Sequence, residues 1–171
     1  MECDKVYLQK TKPNSLVVET IKDFDIYCSK IPFKTISDVK EPSKRDWYDE
    51  HGDDEYLPDS GLKMKAYNMD VDFCCKGTKG SVNAKINSFL AYLNGSDGSG
   101  VEMKMYCTLT KIGRSGVRFD KISDNAVLDR SDDGDILKFT VSFKVNDPVT
   151  EVTPTYNQQE EVIGLSKSIQ V

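Results

Sequence analysis

The segment ILKFTVSFKV, residues 136–145, alternates apolar and polar side chains without a break. Leu137, Phe139, Val141, Phe143 and Val145 face one way; Lys138, Thr140, Ser142 and Lys144 face the other. Side chains on a strand repeat every two residues, so this pattern buries one face and wets the other. Strands with one wet face belong to antiparallel sheets, because all-parallel sheets are covered on both sides. VEMKMYCTL (101–109) predicts a second strand of this kind, with Val101, Met103, Met105, Cys107 and Leu109 inward.

The rest of the chain extends the same reading. LKMKAYNMDVDFC (62–74) alternates in two phases, Leu62, Met64 and Ala66 and then Tyr67, Met69, Val71 and Phe73. A β-bulge near Ala66–Tyr67 would turn both sets toward one core. SLVVETI (15–21), DFDIYC (23–28) and GVRFDKI (116–122) are shorter strand candidates, the last following the turn signal IGRSG. In SVNAKINSFLAYLN (81–94), Val82, Ile86, Phe89, Leu90 and Leu93 form one apolar stripe at helical spacing. Ser81 is placed to cap its start and Gly95 to close its end. The expected fold is α+β and mainly β: an antiparallel sandwich or barrel with one amphipathic helix packed on it.

Two segments fit neither period. Residues 33–61 hold Pro42, Pro58 and an acidic run, and make a long excursion between strands. Such a loop is usually functional or ordered against a neighbour. The stretch from Pro148 onward is polar and reads as an arm, giving one β-rich domain over 1–147 and an arm over 148–171. No run approaches the length of a membrane span, and the first twenty residues lack the apolar core of a signal peptide. The chain therefore reads as intracellular where it is made, with no membrane partner.

Charge is concentrated in one place. Residues 41–60 carry eight acids and two bases, a local sum of −6 against −5 for the whole chain, which leaves the remainder near neutral. A nucleic-acid binder would instead show a basic stripe. Cys3, Cys28, Cys74, Cys75 and Cys107 are odd in number and match no zinc spacing, so they read as reduced packing residues.

Chemistry would have to come from RDWYDEHGDDEYLP (45–58), which holds the only Trp and the only His. His51 sits in the most hydrophilic part of the chain, with no nucleophile motif elsewhere to serve. Asp49, Glu50, Asp53, Asp54 and Glu55 offer hard oxygen ligands, but their spacing does not fit the calcium-loop frame. A solvated acidic loop is the ordinary reading, and a calcium-assisted ligand-binding module is its rival. KGTKGS (76–81) precedes a helix but matches neither phosphate-binding glycine pattern. No catalytic residue, metal ligand or cofactor is expected. Lys111, Arg114 and Arg118 form a small basic cluster suited to the acidic segment of a neighbouring copy or to a solvated turn.

The order of parts carries more than any single residue. DFDIYCSKIPF, then RDWYDEHGDDEYLP, then LKMKAYNMDVDFCCKG and the helix resemble the N-terminal domain of phage distal tail proteins and the related tail-tube fold. GRSGVRFDKI and FTVSFKVNDP look like the later strands of such domains, and the resemblance spans residues 15–148. It implies a non-enzymatic structural protein of a phage or prophage tail. It also implies a homo-oligomeric ring, commonly hexameric, around a channel that DNA traverses without sequence-specific binding. Docking to other tail proteins follows, with residence in the host cytoplasm during assembly and then in the virion tail. On this view Trp47, Tyr48, Tyr56 and Leu57 are interface anchors, joined by Arg114 and Arg118. The chain departs from distal tail proteins in length, which leaves tube and tail-completion roles open beside the distal tail.

Overall fold

The computed structural model describes residues 4–168. In chain order the strands and helices are β1 (Val6–Lys10), β2 (Val17–Glu19), α1 (Thr20–Phe24), β3 (Ile26–Lys30), β4 (Lys44–Asp46) and β5 (Asp53–Glu55). They continue with β6 (Tyr67–Gly77), α2 (Val82–Asn94), β7 (Met103–Cys107), β8 (Ile112–Ser131), β9 (Gly134–Tyr156) and β10 (Val162–Lys167). All pairings between them are antiparallel.

The main sheet runs β2-β1-β7-β8-β9-β6-β3, with β10 added on β9. Its two edge strands, β2 and β3, are joined by α1 and Asp25 alone. A five-residue helix rises only about 7.5 Å, so the opposite edges must approach one another. The sheet accordingly curls into a half-barrel, which decides between the sandwich and barrel forms expected for this mainly β chain.

The inward set of the 136–145 strand is buried as its pattern dictates, while Ser142, expected on the wet face, is buried as well. Leu137, Phe139, Val141, Phe143 and Val145 are all buried, opposite Cys75, Phe73, Val71, Met69 and Tyr67 of β6. Helix α2 lays Val82, Ile86, Phe89 and Leu93 on this inner face, together with Tyr92, which the stripe did not include. Phe89 packs edge-on to Phe73 at 5.3 Å and tilted to Phe24 of α1 at 5.3 Å. Gly95 closes the helix in the left-handed region at φ 79°. Ser81 does not cap it: its hydroxyl donates to the Thr78 carbonyl at 2.8 Å.

Several expectations change. The strand expected over 15–21 is only Val17–Glu19, and residues 20–24 form a second helix. There the Asp23 carboxylate accepts from the Glu19 N–H at 2.8 Å, and Asp25 ends the turn with φ 57°. No bulge joins the two phases of 62–74. β6 begins at Tyr67, while Met64 lies on the limb returning from the excursion, past its expected end at 61, and bridges Val39. β7 is shorter than its alternation, and Val101 and Leu109 are exposed outside it. IGRSG is strand; the turn lies at 108–111, and Gly116, at φ 62°, sits where the β7–β8 register shifts.

The stretch from Pro148, expected as an arm, continues β9 to Tyr156 and returns as β10. This hairpin folds over the outer face of β1 and β7, where Val152 and Leu165 bury Tyr7 and Tyr106 in a second small core. Gly113 allows the approach, since a Cβ there would stand 2.2 Å from the Val152 carbonyl. Among the described residues Cys28, Cys74, Cys75 and Cys107 are free thiols; Cys3 lies outside them. Burial pushes the Cys28 thiol up to about 12, which keeps it from forming a nucleophilic thiolate.

Candidate assembly interface

The 33–61 excursion is an antiparallel finger. At its root Ile31 is buried and Phe33 packs against the core. The Lys34 N–H donates to the Tyr67 hydroxyl at 3.2 Å, and Arg114 donates to the Lys34 carbonyl at 3.2 Å. Further out, Lys40 N–H donates to Lys63 carbonyl and Lys65 N–H to Asp38 carbonyl, both at 2.7 Å. The Ser37 hydroxyl adds a bond to the Lys65 carbonyl at 2.5 Å. The tip is the β4–β5 ribbon, in the register Lys44↔Glu55, Arg45↔Asp54 and Asp46↔Asp53.

Every residue from Ser43 to Leu57 is exposed, so the tip has no core of its own. A lone two-stranded ribbon is marginal in water. Asp46 opposite Asp53 weakens it further, because like charges directly across a ladder repel. One surface ion pair, Lys44 Nζ to Asp53 at 2.9 Å, opposes that repulsion and is worth little at such exposure.

The ribbon sorts its side chains into two faces. Opposed residues share a face, so Lys44, Asp46, Asp53 and Glu55 lie on one side and Arg45 and Asp54 on the other. Alternation adds Tyr56 to the Arg45 side, and the Arg45 guanidinium lies 5.8 Å from the Trp47 ring centroid. One face is therefore acidic and the other carries Trp47, Arg45, Asp54 and Tyr56. Trp47 is 47% exposed, Tyr56 72%, Leu57 62% and Tyr48 fully so. These large side chains stand in water because the ribbon has no core to receive them.

The residues singled out by sequence separate into two groups. Trp47, Tyr48, Tyr56 and Leu57 share the outer part of the finger. Arg118 lies on β8, paired with Asp120 at 3.0 Å and standing opposite Lys144. Arg114 is not on the surface. It is 3% exposed, bonded to the Gly113 and Lys34 carbonyls, and it ties the finger root to the sheet. Its position on β8 opposite the inward Met105 puts it inside, which the charge cluster in the sequence did not show. His51 is exposed near the tip. Among the described residues no group of three or more His, Cys, Asp or Glu side chains is arranged to hold a metal ion.

The turn before α2 is also occupied from within. The Gly80 N–H, which could have faced an anion, donates to the Asp135 carboxylate at 2.8 Å. Asp135 is held in turn by Arg130, at 2.7 and 2.9 Å. Sequence reading missed this clasp because its partners lie on three separate elements.

No protein-family model matches the chain, and no curated protein matches it in sequence. Among solved structures it is similar to the crystal structure of the Dit protein of phage SPP1, described as a paradigm of the hub adsorption apparatus in phages infecting Gram-positive bacteria. The TM-score is 0.54 at 13% sequence identity, over 90% of this chain and 53% of that one. The chain thus spans about half the length of the structure it matches, and the likeness is one of fold.

Proposed function

We propose that this chain is a non-enzymatic structural component of a phage or prophage tail, distal-tail or tail-tube-like, that self-assembles into a ring and docks other tail proteins. The observation that carries the reading is the finger: a coreless ribbon with Trp47, Tyr48, Tyr56 and Leu57 exposed, mounted on a half-barrel similar in fold to a phage hub protein. Aromatic anchors supply most of the binding energy when a partner desolvates them. A closed ring needs one surface to meet a different surface of the next copy, and a projecting finger supplies such a surface. DNA passing through the ring would be met without sequence-specific contacts. The chain would assemble in the host cytoplasm and end in the virion tail.

Replacing residues 44–55 by a short glycine linker tests this directly. The domain should keep its circular dichroism and melting behaviour while losing its oligomer. Rings of unchanged mass after that replacement would refute the role of the finger.

A further inference from the structure

We propose that the β9–β10 hairpin is exchanged between copies, each chain laying its hairpin on the β1–β7 face of the next; this rests on the self-association reading above. The hairpin is set apart from the half-barrel in three ways. Its core is separate: Val152 and Leu165 meet only Tyr7 and Tyr106 among the buried residues, apart from the main cluster. Beyond the Arg114↔Glu151 ladder pair its polar ties to the body are few: the Leu165 N–H donates to Gln9 Oε1 at 2.9 Å, and Lys104 Nζ donates to the Leu165 carbonyl at 2.7 Å.

Its connection is jointed. Ser115 pairs with Asp147 and the adjacent Arg114 pairs with Glu151, so residues 148–150 bulge out between them. The bulge begins at Pro148, and the Asp147 carboxylate folds it by accepting from the Val149 and Thr150 N–H groups at 3.3 and 3.0 Å. Opening that turn and the Arg114↔Glu151 pair beyond it re-aims the hairpin without breaking the β9–β10 ladder. Every contact the hairpin makes with β1 and β7 is then available, unchanged, on a second copy. Such an exchange keeps the native contacts and adds a link between chains. Each chain gives with one surface and receives on another, so the contact is heterologous and propagates toward a ring.

The test mixes two differently tagged chains, one carrying Gln9→Cys and one carrying Ser166→Cys, at a concentration where the protein is assembled. A short bis-maleimide is added, and the parent chain treated alike gives the background from native thiols. A Gln9→Cys/Ser166→Cys double variant treated at high dilution should link within one chain, which shows that both substitutions leave the hairpin seated. Exchange predicts heterotypic cross-linked dimers well above background, and none when Lys79→Cys replaces Ser166→Cys. Assembled protein with only background cross-linking would overturn the exchange and leave self-assembly standing. Monomers at every concentration would contradict both.

Discussion

The guanidinium of Arg114, buried in the sheet, donates to the backbone carbonyl of Lys34 at 3.2 Å and so fixes the direction in which the finger leaves the half-barrel. No carboxylate lies within 4.0 Å of it among the described residues, and its Nε is buried without a partner. A charge buried this way is held by geometry, not by ion pairing. Arg114→Ala should cost about 2 kcal/mol, the scale of a lost hydrogen bond from a charged group. Hydrogen exchange at residues 34–40 should accelerate well beyond the change in the β6–β9 core. Uniform acceleration across the chain would mean that Arg114 serves general stability only.

The Asp135 clasp predicts an acid limit. Arg130 beside it and the Gly80 N–H hold its carboxyl at about 2, below the ordinary carboxylate range. A lowered carboxylate pKa contributes stability that is complete above the unfolded value, about 4, and disappears as pH falls through about 2. Asp135→Asn should lower the melting temperature at neutral pH, and its deficit against the parent should shrink from pH 4 to pH 2. A deficit independent of pH would show that the charge is immaterial.

Lys10 gives the opposite limit. It lies buried over the Tyr92 ring at 4.5 Å, donating to the Gly100 carbonyl at 2.7 Å and the Leu93 carbonyl at 3.3 Å. Burial pulls its pKa down to about 8. Between about 8 and the ordinary lysine value of about 10.4 the unfolded chain holds the proton more often, so stability rises with pH there. Tyr7 and Tyr92, both pushed up by burial, reverse the trend above about pH 10, where unfolded tyrosines ionise first. Urea melts of the parent should show this rise from pH 8 toward 10, and Lys10→Met should remove it.

Gly113→Ala tests the seat of the β9–β10 hairpin. The added Cβ would meet the Val152 carbonyl at 2.2 Å and the Tyr106 ring at 3.0 Å. Overpacking of this kind costs about 1–3 kcal/mol. The hairpin should answer first, with faster proteolysis after residue 147 while the half-barrel stays resistant. Unchanged proteolysis would show that the two move together.

Legibility in the sequence followed the length over which one physical rule acts alone. Leu137 to Val145 alternate for nine residues under one rule, side chains in and side chains out, and their inward set is buried as read. Phe24 falls within a strand candidate because Thr20–Phe24 is too short to show a helical period, and the Asp23 bond to the Glu19 N–H that holds the turn is local. Tyr67 marks a change of phase that suggests a bulge, because alternation does not reveal where a strand leaves the sheet for a finger. Within the candidate interface the exposed aromatics could be named from composition. Arg114 could not be separated from Arg118, since burial depends on pairings with β7 and β9 that are distant in sequence.

The central claim, assembly through the exposed aromatic side chains of the finger, is tested most directly by one light-scattering measurement after gel filtration. It compares the parent chain at high concentration with a Trp47→Ser/Tyr48→Ser/Tyr56→Ser variant. These side chains are exposed, so the variant should melt within about 1 °C of the parent, as surface changes within ±0.5 kcal/mol allow. The parent is expected to elute as a closed oligomer and the variant as a monomer of 19.2 kDa. An oligomer of equal mass from both chains, or a parent that stays monomeric, would contradict the account.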